Sequence, residues 1–147
     1  MIVEKSPLIL CDFFLLKSDY RFVFPEKSVN ADNVKKWFDN YKVDVDFQIQ
    51  GEQTSFNVYV KMLVNYEEEV LPGYSMFAEG VGMFKFEGEG IDEKGKSELM
   101  HYSAVPIVIN SLRTYIGNQT AYGPWGKFVV PTFDLNALFA AKEKQSQ

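Results

Sequence analysis

The sequence has one cysteine, Cys11, and one histidine, His101, in 147 residues. A single cysteine excludes an intrachain disulfide and any zinc site built from cysteine pairs. A single histidine leaves any Ser-His-Asp or Cys-His arrangement only one imidazole to use. No apolar run reaches the roughly 18 residues that argue for a membrane-crossing helix. Phosphate-cradling loops are missing too: Gly80 and Gly82 lack the third glycine and the helix start of a dinucleotide fingerprint. Positive charge is not in excess either. The 15 Lys and Arg are outnumbered by 20 Asp and Glu, giving a net charge of −5, whereas grip on a nucleic-acid backbone needs clustered cations. The expectation is a non-enzyme with no cofactor, no metal, no nucleic-acid partner and no membrane span.

Aromatic side chains are plentiful: 13 Phe, 8 Tyr and 2 Trp make 16% of the chain. The length fits one domain, 1–147, with a tail over 140–147 expected to fray. At the start, Glu4, Lys5 and Asp12 interrupt the apolar run, unlike the basic start and unbroken core of a secretory signal. That segment reads as the first strand of a cytoplasmic protein, with Cys11 as a small buried hydrophobe. His101 reads as a surface or capping residue.

Four stretches carry strand signals. Leu10 to Phe24 is β-rich, with Tyr20, Phe22 and Phe24 on one parity. Val43, Val45, Phe47 and Ile49 alternate with Asp44, Asp46, Gln48 and Gln50. Phe56 to Tyr66 repeats the period of two after a turn at Gly51-Glu52, and Tyr74 to Phe86 follows Leu71-Pro72-Gly73. Gly80 and Gly82 in that last strand predict a bulge, a bend or a close backbone approach. The long connection Pro25–Tyr41 predicts a crossover with a helical turn over Asn30–Asn40. Gly88–Lys96 reads as a charged, mobile loop. Val105, Val108, Ile109, Leu112, Tyr115 and Ile116 form a helical stripe, with Pro106 near its start or at a kink in a longer helix. Asp134 predicts the N-cap of a last helix with Leu135, Leu138 and Phe139 on its apolar side. Strands followed by helices indicate an α+β fold: a four-stranded antiparallel sheet with two helices packed on one face.

The most informative segment lies between those helices. Tyr122, Pro124, Trp125, Phe128 and Pro131 make an aromatic loop whose glycines and prolines restrict its shape. Such rings either close a core or offer apolar area to a partner.

The order of elements and several strings resemble the SecB-type protein-export chaperones. Lys42-Val-Asp-Val-Asp46 is similar to that family's alternating acidic strand. Ala78-Glu79 sits where members carry a small residue followed by glutamate, and Ala104-Val-Pro106 resembles a Phe-Pro helix start. Tyr122 to Phe139 resembles the family's aromatic loop leading into a helix with Ala-Leu-Phe, here Ala137-Leu138-Phe139. The likeness spans Leu10 to Phe139. It implies a homotetramer, a dimer of dimers, with Phe77 and Glu79 at oligomer contacts. It also implies an acidic sheet face that docks the translocase motor SecA, here Asp19, Asp44 and Asp46, although Val23 replaces an acidic residue of the pattern. Its implied activity is that of a holdase for unfolded or preprotein chains. A groove for them would have Phe22 and Phe24 as floor, Trp37, Phe38 and Tyr41 on one wall, and Tyr122, Trp125 and Phe128 on the other. Two alternatives stand beside export: a SecB-like chaperone dedicated to one client such as an antitoxin, and a small α+β domain that binds an apolar ligand.

Overall fold

The structure, a computed structural model, describes residues 1–52 and 54–146. Strands β1 (Leu8–Val23), β2 (Val43–Gly51), β3 (Ser55–Val64) and β4 (Gly73–Phe86) form one antiparallel sheet in the order β1-β4-β3-β2. Helix α1 (Ala31–Asn40) lies in the crossover from β1 to β2. Its start is set locally: the Asn30 side chain accepts from Asn33 N–H at 3.0 Å, and the Asn33 side chain accepts from Asn30 N–H at 3.1 Å.

Strand periodicity sorts the side chains between two faces. Phe56, Val58, Val60, Met62 and Val64 of β3 and Tyr74, Met76, Ala78 and Phe84 of β4 are buried on the same side. Helix α3 (Val105–Thr120) covers that side with Val105, Val108, Ile109, Leu112 and Ile116. Each such side chain contributes about 1.5–3 kcal/mol when fully removed from water. The sheet and helix approach closely because β4 carries no side chain at two positions. A Cβ on Gly82 would lie 2.5 Å from Val108 Cγ2, and one on Gly80 would lie 3.2 Å from Leu112 Cδ2. Gly82→Val should therefore lower stability by about 1–3 kcal/mol through overpacking. Urea unfolding measures it, and an unchanged midpoint would mean that α3 does not need this approach.

The helical part is longer than the stripe predicts. Helix α2 (Glu93–Leu99), capped by Asp92 accepting from Gly95 N–H at 2.7 Å, occupies ground read as loop. It buries no residue, so no apolar periodicity announced it. A π-helical turn (Met100–Ala104) joins it to α3, and Val105 N–H reaches back to the Met100 carbonyl. Pro106 sits in the first turn of α3. Its missing N–H and bulky ring disrupt regular α hydrogen bonding, and the wider turn just before it accommodates this. Helix α4 (Leu135–Gln145) opens on Asp134, whose side chain accepts from Ala137 N–H. The expected fray over 140–147 is helical through Gln145, and Gln147 lies outside the described residues.

Strand β1 departs from regular pairing twice, between Leu10 and Asp12 and between Leu15 and Lys17. Cys11 occupies the first bulge and is exposed, not buried. An extra residue in one strand has no cross-strand partner to cover it.

Candidate functional site

Rings from four segments meet at the end of the sheet where β1 stops and β4 begins. Phe22 stands 5.4 Å from Trp125 and 5.0 Å from Phe24, both edge-on. Phe38 of α1 lies 6.2 Å from Trp125, 5.2 Å from Phe128 and 5.7 Å from Tyr74. Edge-on and tilted pairs at these spacings contribute beyond their buried area. The crossover and the aromatic loop, far apart in sequence, thus share one cluster.

Its members differ in access. Tyr41 and Phe128 are only 7% and 3% exposed and belong to the core beneath the cluster, where closed packing takes them out of reach as groove walls. Phe22, Phe38 and Trp125 are half-buried. Phe24 is 79% exposed and Tyr122 94% exposed. Trp37 is half-buried on α1 and lines a separate cleft with Asn33, Lys36 and Asn40. The structure therefore brings Phe22, Phe24, Phe38 and Trp125 together, sets Tyr41 and Phe128 below them, and leaves Trp37 and Tyr122 outside the ring contacts.

Sequence reasoning missed Tyr74. It reads as one more inward residue of β4, and nothing local marks its hydroxyl. In the fold that hydroxyl accepts from Trp125 N–H at 3.0 Å and donates to the Gly126 carbonyl at 2.7 Å, with the Thr120 carbonyl at 3.2 Å. Tyr74 N–H in turn donates to the Tyr41 hydroxyl at 3.0 Å, which donates to the Pro72 carbonyl at 2.7 Å. The segment after the loop is pinned to α3: Phe128 N–H donates to Thr120 Oγ1 at 2.9 Å, and Arg113 Nη2 donates to the Val130 carbonyl at 2.6 Å.

Burial, partly offset by the hydrogen bond from Tyr74 N–H, pushes the Tyr41 phenol up to about 12. A phenol harder to ionise in the fold than in the open chain adds stability below its unfolded value near 10. That contribution fades as pH rises from there through the folded value. Melting should therefore drop between pH 9 and pH 12, and Tyr41→Phe should flatten the drop. An equally steep drop in the variant would assign it to other groups.

The opposite face of the sheet is open. Cross-strand register lines up Asp46, Lys61, Glu79 and Lys17 in one row, alternating in sign. Opposite charges facing each other across strands attract. Asp46 also accepts from Lys142 of α4 at 2.8 Å. Burial alone would raise its pKa, but hydrogen bonds from Lys142 and Phe47 N–H, with the charges of Lys142 and Lys61, hold the carboxyl below its usual value. The next row runs Asp44, Leu63, Phe77, Asp19. Asp19 accepts from the Tyr66 hydroxyl at 2.8 Å, and the Phe77 ring packs 5.6 Å from the Tyr66 ring and has the Lys17 ammonium 5.2 Å from its centroid. Asp44 and Asp19 end that row three strand spacings apart, roughly 14 Å. This face mixes both signs.

His101 packs edge-on against Phe47 and Phe139, and its Nδ1 is 2.9 Å from the Ser97 carbonyl, a packing position. A cavity of about 580 Å³ opens at the other end of β2, lined by Asp44, Tyr66, Glu67, Glu68 and Glu69 among others. Val43, Leu63 and Leu71 supply an apolar part of the lining, and the three glutamates stand in solvent. Among the described residues no group of three or more His, Cys, Asp or Glu is placed to hold a metal. No helix among them is long and apolar enough to cross a membrane.

No protein-family model and no curated protein matches this sequence. Among solved structures, it is similar to a SecB-like chaperone of Mycobacterium tuberculosis in complex with a peptide from an antitoxin. That match has a TM-score of 0.58 at 12% identity and covers 86% of this chain and 88% of that one. A protein of unknown function from Streptococcus agalactiae aligns with a TM-score of 0.45 at 13% identity, over 86% of this chain and 97% of that one. The chain has a SecB-like fold: the α+β architecture expected from the sequence, with its helices arranged around one antiparallel sheet.

Proposed function

We propose that this chain is an ATP-independent chaperone, a holdase that keeps client polypeptides unfolded by covering them with exposed aromatic surface. The observation that carries the reading is the exposure of Phe24 and Tyr122, large rings standing in solvent, with Phe24 against the half-buried cluster of Phe22 and Trp125. Rings offer broad contact at small side-chain entropy cost and do not depend on client sequence. Contacts of this kind are individually weak, so copies acting together are needed for avidity. Strand β1 offers the place for copies to join. It is an edge strand with Leu10, Phe14, Leu15 and Leu16 exposed, and an uncovered apolar edge favours further association. The assembly in this reading is a homotetramer, a dimer of dimers in the cytoplasm, with unfolded or preprotein chains as partners and no reaction catalysed.

The sign-alternating row on the outer face favours a second form of the same reading. Asp46 and Glu79 are matched by lysines of their own chain, which weakens an acidic docking surface for a SecA motor. A chaperone dedicated to a single client needs no motor. The Mycobacterium tuberculosis SecB-like chaperone is in complex with a peptide from an antitoxin.

Native mass measurement with and without a reduced, alkylated, unfolded polypeptide tests assembly and capture together. The expected result is a particle of several copies that gains client mass. A monomer that gains none would end the reading. Suppressing aggregation of several unrelated unfolded proteins would indicate a general holdase; strong protection of one alone would indicate a dedicated one.

A further inference from the structure

We propose that Tyr74 is a positioning residue for the client-binding rings: its phenol clasps the loop over 121–127 and so sets where Trp125 stands. The capture arm of this proposal rests on the holdase reading above; the clasp itself does not. Tyr74 is fully buried at the start of β4 and is held there by backbone pairing to β1 and by its N–H bond to Tyr41. From that fixed base the hydroxyl meets both ends of the loop, the Thr120 carbonyl before it and the Trp125 N–H and Gly126 carbonyl at its far side.

The surroundings are cut to this contact. A Cβ on Gly123 would lie 2.5 Å from the Tyr74 ring, and one on Gly73 would lie 2.5 Å from Trp125 Cζ3. Gly126 has φ +74, a left-handed conformation that side chains disfavour, and it turns the chain so that its carbonyl faces the phenol. Without the hydroxyl, Trp125 N–H and the Gly126 carbonyl lose their partner in a part-buried place. Groups in that position must find water, and the loop reaches water by moving away from the sheet. Trp125 then leaves the edge of Phe22, and the aromatic surface is no longer continuous.

Tyr74→Phe keeps the ring and removes only the hydroxyl, and Gly123→Ala leaves the hydroxyl but pushes the loop off the ring. Both should accelerate hydrogen exchange at the Trp125 amide about tenfold or more while β3 amides keep their protection. Both should also weaken binding of reduced, carboxymethylated lactalbumin several-fold per folded molecule. Unchanged Trp125 exchange in both variants would overturn the clasp. Faster exchange with unchanged binding would overturn the positioning role and leave Tyr74 purely structural. If the wild-type protein itself fails to bind the probe, the holdase reading and Tyr74's part in capture both fall, and exchange alone still decides the clasp.

Discussion

Replacing Phe24 and Tyr122 together by serine should weaken capture of an unfolded polypeptide by about a hundredfold and lower the melting temperature by only a few degrees. The two rings are the most exposed of the candidate client-binding aromatics. An aromatic side chain fully buried by a partner contributes roughly 1.5–3 kcal/mol. Even partial cover by a client makes each ring worth about 1.4 kcal/mol, which is tenfold in Kd. The rings do not touch one another, so their losses should add. Stability should fall by only about 0.5–1.5 kcal/mol, the edge-on contact of Phe24 with Phe22, because both rings are otherwise in solvent. Titration of a labelled unfolded chain against wild type and the double variant measures the effect. Equal affinities would remove these rings from client binding. A large drop in melting would place them in the core.

Leu112→Ala should do the reverse. Leu112 is fully buried in α3, and its Cδ2 comes within 3.2 Å of where a Gly80 Cβ would lie. Removing its methyl groups leaves a cavity between helix and sheet that rigid neighbours cannot fill, at a cost of about 2–5 kcal/mol. For a domain of this size that lowers Tm by roughly 5–15 °C. Binding per folded molecule should stay within about twofold, since the exposed rings lie at the sheet end. Chemical unfolding gives the stability change. If affinity fell as much as stability, the packing of α3 and the site would be one coupled unit.

The contrast between these substitutions follows how the chain uses its rings. Phe22, Phe24, Phe38, Tyr41, Trp125 and Phe128 look alike in the sequence. Tyr41 is buried where its hydroxyl bridges the Pro72 carbonyl and Tyr74 N–H, and Phe128 where its ring packs against Phe38 and Tyr41. Phe24 lies just past the end of β1, beyond strand pairing, and stays in solvent. Those outcomes depend on partners up to tens of residues away. The charged residues behave likewise. Asp46 reads as an acidic surface residue until register sets Lys61 beside it and α4 brings Lys142 to 2.8 Å. Glu79 has lysines on both sides for the same reason.

Local patterning by itself determined much of this protein. The period of two placed the strands, the apolar stripe from Val105 to Ile116 placed the main helix, and Asp134 marked the start of the last one. Each is a short-range rule that needs no distant partner. Gly80 and Gly82 pointed to a bulge, a bend or a close approach, and the fold shows the close approach. Tertiary structure alone decided which rings are sealed and which meet water, that Tyr74 joins three segments, and that the outer sheet face mixes both charges. Burial and pairing are properties of neighbours, and these neighbours are brought together by sheet order and register rather than by adjacency in the chain.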